Sequence, residues 1–136
     1  MNALETLTEI TDLKGRLLRF PAALAEARRE AADAARLVEN LKQSLAEHEA
    51  ELLLMVAAET TAEGKPKFTN EAARKAEVTR RLGSQSYLAL TEQIADAELA
   101  RLRADIEVRR LEDEHRAAVA VKDLVCREVD LLVHGR

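Results

Sequence analysis

The sequence predicts an all-α chain: a long antiparallel coiled-coil hairpin with a short helix at its turn, forming a helical bundle when copies associate. Ala, Glu, Leu and Arg dominate, only Phe20, Phe68 and Tyr87 are aromatic, and Trp is absent. That is the composition of long helices rather than of a thick globular core. Apolar residues recur at alternating three- and four-residue steps over long stretches, which is helical periodicity. Only four Gly and two Pro punctuate the 136 residues, and β-branched residues are scattered rather than alternating, so no sheet is expected. At 47% apolar and 34% charged the chain reads as a single folded domain, 1–136.

The first predicted helix, about 3–19, starts behind Asn2 as a candidate cap and carries Leu4, Leu7, Ile10, Leu13 and Leu17 on one face. Gly15 weakens it, and Pro21 is expected to end or kink it at Phe20–Pro21, because proline lacks a donor and clashes with the preceding turn. A second helix, about 22–60, holds an unbroken heptad seam of Leu24, Ala27, Ala31, Ala34, Val38, Leu41, Leu45, His48, Leu52 and Met55. Its alanine-rich first half permits close helix approach. Leu53, Leu54 and Val56 widen the apolar face further on, so a third element should pack there.

Residues 60–70, TTAEGKPKFTN, form the clear interruption. Gly64 can take a positive φ and close the incoming helix at its C′ position, and Pro66 blocks continuation. Thr69 and Asn70 offer cap oxygens to a third helix, about 70–82, with Glu71 placed where the helix dipole favours an anion. Gly83 is expected to stop that helix, with Ser84 or Ser86 capping the next one. The last helix, about 85–133, shows Tyr87, Leu90, Ile94 and Ala97 in register, then Leu99, Leu102 and Ile106, then Val108, Leu111, His115, Ala118, Val125, Val129 and Leu132. Its phase drifts, so an irregular coil is expected. At about 1.5 Å per residue the outgoing arm spans roughly 87 Å and the returning arm roughly 73 Å, long enough to lie antiparallel for most of their length. A two-helix seam leaves Leu37, Leu53, Leu54, Leu88 and Leu99 partly exposed, so a homo-oligomer is expected.

Several functions find no support in the pattern. No window reaches the roughly 18 apolar residues of a membrane span, and the acidic start MNALETLTEITD is unlike a basic signal peptide, so a cytoplasmic protein without membrane contact is expected. Cys126 is read as a small buried hydrophobe in a reducing compartment. His48, His115 and His134 are too scattered for a metal motif; His48, on the seam, is read as a register-setting polar residue. Carboxylates such as Glu47, Glu49, Glu51, Glu112, Asp113 and Glu114 look like solvated faces, and AEGKPKF lacks the spacing and preceding strand of a phosphate loop. No catalytic, metal or cofactor residue is assigned, no small-molecule substrate is expected, and the chain is read as a non-enzyme.

Charge is the one asymmetry. From Lys65 to Leu82 there are six bases and two acids, net +4, leaving −8 on the rest of a chain whose total is −4. Lys65, Lys67, Asn70, Arg74, Lys75, Arg80 and Arg81 are therefore the candidate contacts for nucleic acid or for a nucleic-acid-processing partner.

The run GKPKFTNEAARKAEVTRRL, followed by Tyr87 opening a long Ala/Glu/Leu/Arg-rich helix, resembles a group of small phage and prophage coiled-coil proteins of unassigned function. The matching residues are Asn70, Glu71, Arg74, Ala76, Leu82 and Tyr87, and the specific likeness covers the middle third of the chain. Such proteins are often encoded beside recombination or single-strand-annealing genes. The resemblance implies an accessory role in nucleic-acid metabolism without naming a reaction. The alternative is a structural or prefoldin-like chaperone coiled coil with only protein partners.

Overall fold

The computed structural model describes residues 2–135. The chain is an all-α hairpin of α1 (Ala3–Ala58), α2 (Glu71–Leu82) and α3 (Gln85–His134), with no strand among the described residues. The reading of 1–136 as one domain has both end residues outside that described range, and the contacts group the chain into two units. One comprises Met1–Ala32 with Leu102–Arg136, the other Asp33–Arg101. In a two-helix seam a side chain reaches only the residues opposite it, so contacts stay local in register.

In the first unit the opening part of α1 packs antiparallel to the closing part of α3. Phe20 lies edge-on against His115, with ring centroids 5.1 Å apart, and Arg28 pairs with Glu112 at 3.3 Å. Phe20, Ala27 and Ala118 are the buried apolar residues there. A reciprocal capping box opens α1: the Asn2 side chain accepts from the Glu5 N–H at 2.8 Å, while the Glu5 carboxylate accepts from the Asn2 N–H at 3.1 Å.

Contrary to the expected joint at Phe20–Pro21, α1 continues through Pro21 as one helix. The cause is the seam itself. Ile10, Leu13, Leu17, Phe20, Leu24, Ala27, Ala31 and Ala34 advance in alternating steps of three and four and are buried or half-buried, whereas Leu4 and Leu7 are exposed. Burial on both sides of the proline keeps one register and outweighs the lost backbone hydrogen bond.

In the second unit, Val38 and Val56 are fully buried, and Leu52, Val56 and Val78 form a cluster on which Phe68, Leu82 and Tyr87 pack. Lys42 and Glu98 pair across the helices at 2.9 Å. The expected seam residues Leu24, Val38, Leu41, Leu45 and Leu52 are buried or half-buried, but two are displaced. Met55 is 58% exposed and Val56 takes its place, because α2 and the loop cover that side of α1 as the widened apolar face implied. His48 is exposed too; it rests edge-on against Tyr87 at 5.7 Å rather than setting register inside the seam.

Nor does the phase of α3 drift. Ile94, Ala97, Ala104, Val108, Leu111, His115 and Ala118 keep one heptad phase, in steps of three and four with one full seven-residue step from Ala97 to Ala104, half-buried or better, while Leu99, Leu102 and Ile106 lie outside the seam and are exposed. Alanines alternate with larger residues in the interface, and Leu99, Leu102 and Ile106 are left on the outer face.

The turn differs from a simple helix stop. α1 ends at Ala58, and residues 59–67 fold into a miniature β-type hairpin: Thr60 and Pro66 form an antiparallel bridge, flanked by hydrogen bonds from the Thr61 N–H to the Lys65 carbonyl at 2.7 Å and from the Lys67 N–H to the Glu59 carbonyl at 3.0 Å. Gly64 closes the Ala62–Glu63–Gly64 loop with φ 80°, so its left-handed freedom is used, six residues beyond the helix end. Gly83 does separate α2 from α3 but in a right-handed conformation (φ −76°), its N–H shared between the Thr79 and Arg80 carbonyls. The Ser84 carbonyl, not a serine hydroxyl, receives the first N–H groups of α3, from Tyr87 and Leu88.

Two outcomes check this arrangement. Pro21→Ala, at an exposed helix-interior position, should raise stability by up to about 3 kcal/mol in urea unfolding, with helix content unchanged. Val56→Ala should cost about 2 kcal/mol through lost burial and a cavity, whereas Met55→Ala should stay within about 0.5 kcal/mol.

Candidate functional site: the charged tip and an apolar groove

The seven tip residues do come from one region, but folding supplies most of them with partners. Asn70 is the N-cap of α2: with extended backbone, its side chain accepts from the Ala73 N–H at 2.7 Å. It is thus occupied structurally. Lys75 pairs with Glu71 one turn earlier at 3.2 Å, and the Arg74 guanidinium donates to the Phe68 carbonyl at 3.3 Å. Lys67 sits 4.0 Å from Glu59 and 5.6 Å from the centre of the Phe68 ring. Lys65 is exposed and has no carboxylate partner among the described residues.

Arg80 and Arg81 are the most engaged. Arg80 grips Glu77 through two nitrogens, at 2.5 and 2.9 Å. Arg81, only 21% exposed, bridges Glu77 of its own helix at 2.9 Å and Glu59 beyond the end of α1 at 2.5 Å. Hydrogen bonds from Arg80 and then Arg81 hold the Glu77 carboxyl down at about 2, from an ordinary 4.5; the Glu77 contact raises Arg80, and contacts with Glu59 and then Glu77 raise Arg81. This network ties α2 to the end of α1 beside the Leu52–Val56–Val78 cluster.

The charge balance changes accordingly. Over residues 59–82, six bases face four acids, because Glu59 and Glu63 lie just outside the window that defines the basic run in sequence. Glu59 is 22 residues from Arg81, and nothing in a local pattern announces that pairing. Of the candidate contacts, Arg80 and Arg81 are both paired, Arg80 with Glu77 and Arg81 with Glu77 and Glu59, and Arg81 is mostly covered; Lys65, Lys67, Lys75 and Arg80 keep their side chains exposed.

A second feature lies in the first unit and has no counterpart in the sequence motifs. An apolar groove of about 620 Å³ runs between α1 and α3, lined by Ile10, Leu13, Leu17, Leu18, Val125, Cys126, Val129 and Val133, with Lys14, Lys122, Asp130 and His134 as its charged and polar members. Cys126 is exposed there, not the buried hydrophobe expected. The periodicity of its neighbours places it beside the seam, and the uncovered groove leaves it accessible.

Among the described residues no group of three or more His, Cys, Asp and Glu side chains is placed to hold a metal ion, and no helix is long and apolar enough to cross a membrane. Set against protein-family models, curated proteins and solved structures, the chain matches none of them.

The tip network has a pH signature. A depressed folded-state carboxyl gives stability that is complete above the unfolded value of 4.5 and is lost as pH falls towards the folded value of about 2. Glu77→Gln should therefore melt below the wild type at pH 7, and the difference in Tm should shrink between pH 5 and pH 2. Arg81→Gln should likewise speed amide exchange in α2 more than Lys75→Gln does.

Proposed function

We propose that this chain is a non-enzymatic helical interaction module that associates with copies of itself through apolar helix faces and acts in the cytoplasm. The observation that carries the reading is the amount of large apolar surface left uncovered on ordered helices. Leu37, Leu53, Leu54, Leu88 and Leu99 in the second unit and Leu102 and Ile106 in the first are all more than 40% exposed, and the first unit also bears the groove. Contiguous apolar faces of this kind are what association covers. A thin seam of alanine and valine also buries little per chain, a shortfall that small folds make up by oligomerising.

A second reading, contact with nucleic acid or with a nucleic-acid-processing protein at the tip, is favoured by the three exposed lysines Lys65, Lys67 and Lys75 and by the resemblance of the segment that holds them. The latched arginines contribute charge to it but hold the fold.

Sedimentation equilibrium tests the first reading: a dimer or higher species should form in the low micromolar range, and a monomer persisting at high micromolar concentration would overturn it. For the second, fluorescence anisotropy with labelled single- and double-stranded oligonucleotides should give a log–log salt slope of about −2 to −3 for three phosphate contacts. Lys65→Gln, Lys67→Gln and Lys75→Gln combined should abolish that binding with helix content intact. No binding at 50 mM salt assigns the tip to protein contacts alone.

A further inference from the structure

The groove of the first unit carries its own charge code. On α3, Lys122, Cys126 and Asp130 all line it, each four residues from the next, so they stand along one ridge of the helix with a cation at one end, an acid at the other and the thiol midway. Both charges are exposed. Their partners, Asp123 for Lys122 at 3.5 Å and His134 for Asp130 at 3.4 Å, are surface pairs of the kind that exchange at little cost.

A ridge of this form is complementary to itself when inverted. We propose that the groove is covered by the same groove of a second copy, in an antiparallel two-fold dimer whose axis passes at Cys126, so that Lys122 of each copy faces Asp130 of the other. This rests on the self-association reading above and specifies where and in what orientation the copies meet. The two-fold makes each contact twice, as an isologous interface requires. Leu13, Leu17, Val125 and Val129 beside the ridge supply the apolar surface that becomes covered, completing four helices from two pairs. The charges fix orientation: a parallel arrangement of the same ridges sets Lys122 against Lys122 and Asp130 against Asp130, which like-charge repulsion opposes.

Charge reversal tests this directly. Lys122→Asp makes the ridge acidic at both ends, and Asp130→Lys makes it basic at both ends. Each single variant should dimerise about ten-fold more weakly than wild type in sedimentation equilibrium at low salt, an equimolar mixture of the two should recover a heterodimer, and the double swap Lys122→Asp with Asp130→Lys should recover the homodimer. Circular dichroism of each variant should match wild type, since all these changes fall on exposed positions. A second measurement uses the thiol as a reporter of the axis. Diamide, which takes two electrons and two protons from a pair of thiols and is itself reduced to the hydrazine, should convert wild type to a disulfide-linked dimer on a non-reducing gel, and Cys126→Ser should abolish the band. A dimer indifferent to the swaps and without the Cys126 crosslink would overturn this geometry while leaving self-association standing. A monomer throughout would overturn both.

Discussion

The geometry of two helices in contact constrains everything else in this chain. Each helix can turn only one stripe towards the other, so the buried set is short: among the described residues it is nine apolar side chains from Phe20 to Ala118, three of them alanine and four of them valine or isoleucine. The helices come close because alanine fills much of the seam, at Ala27, Ala31, Ala34, Ala97, Ala104 and Ala118. Close approach favours dispersion contacts but leaves the larger side chains nowhere to go except outward. The exposed leucines and the groove follow from that one choice of small residues at the interface.

Where the hairpin turns, the constraint is relaxed by adding a third element. Val78 of α2 lands on Leu52 and Val56, with Phe68, Leu82 and Tyr87 packed against the same cluster. The ion network of Glu59, Glu77, Arg80 and Arg81 lies at the margin of that cluster, where a part-buried carboxylate shared between two guanidinium groups is satisfied by charge-assisted hydrogen bonds. A basic run that looks like a ligand site in sequence is thus largely a fastening in the fold. What it leaves to the solvent is Lys65 and Lys67 on the miniature hairpin and Lys75 and the outer side of Arg80 on α2.

The groove and the tip belong to different units, and their physical characters differ. On α3 the groove carries Lys122 and Asp130 along one ordered ridge, whereas the tip pairs most of its charges internally. An interface between copies is specified by the former kind of pattern, in which apolar area drives association and charge selects orientation.

Periodicity and capping chemistry determined much of this structure by themselves. The three helices, the capping residues Asn2 and Asn70, the positive φ of Gly64 and the seam from Leu24 to Leu52 are local properties, set by steps of three and four and by what each side chain can do to its own backbone. Tertiary contact decided the rest. Whether Pro21 breaks α1 depends on Leu17 and Phe20 being buried on its near side and Leu24 on its far side; whether Met55 or Val56 faces inward depends on α2 arriving over Val56; and whether Arg81 is a free cation depends on Glu59, 22 residues away. Each of these turns on a partner distant in sequence, and the free energy of burying or pairing against that partner exceeds the local preference it overrides.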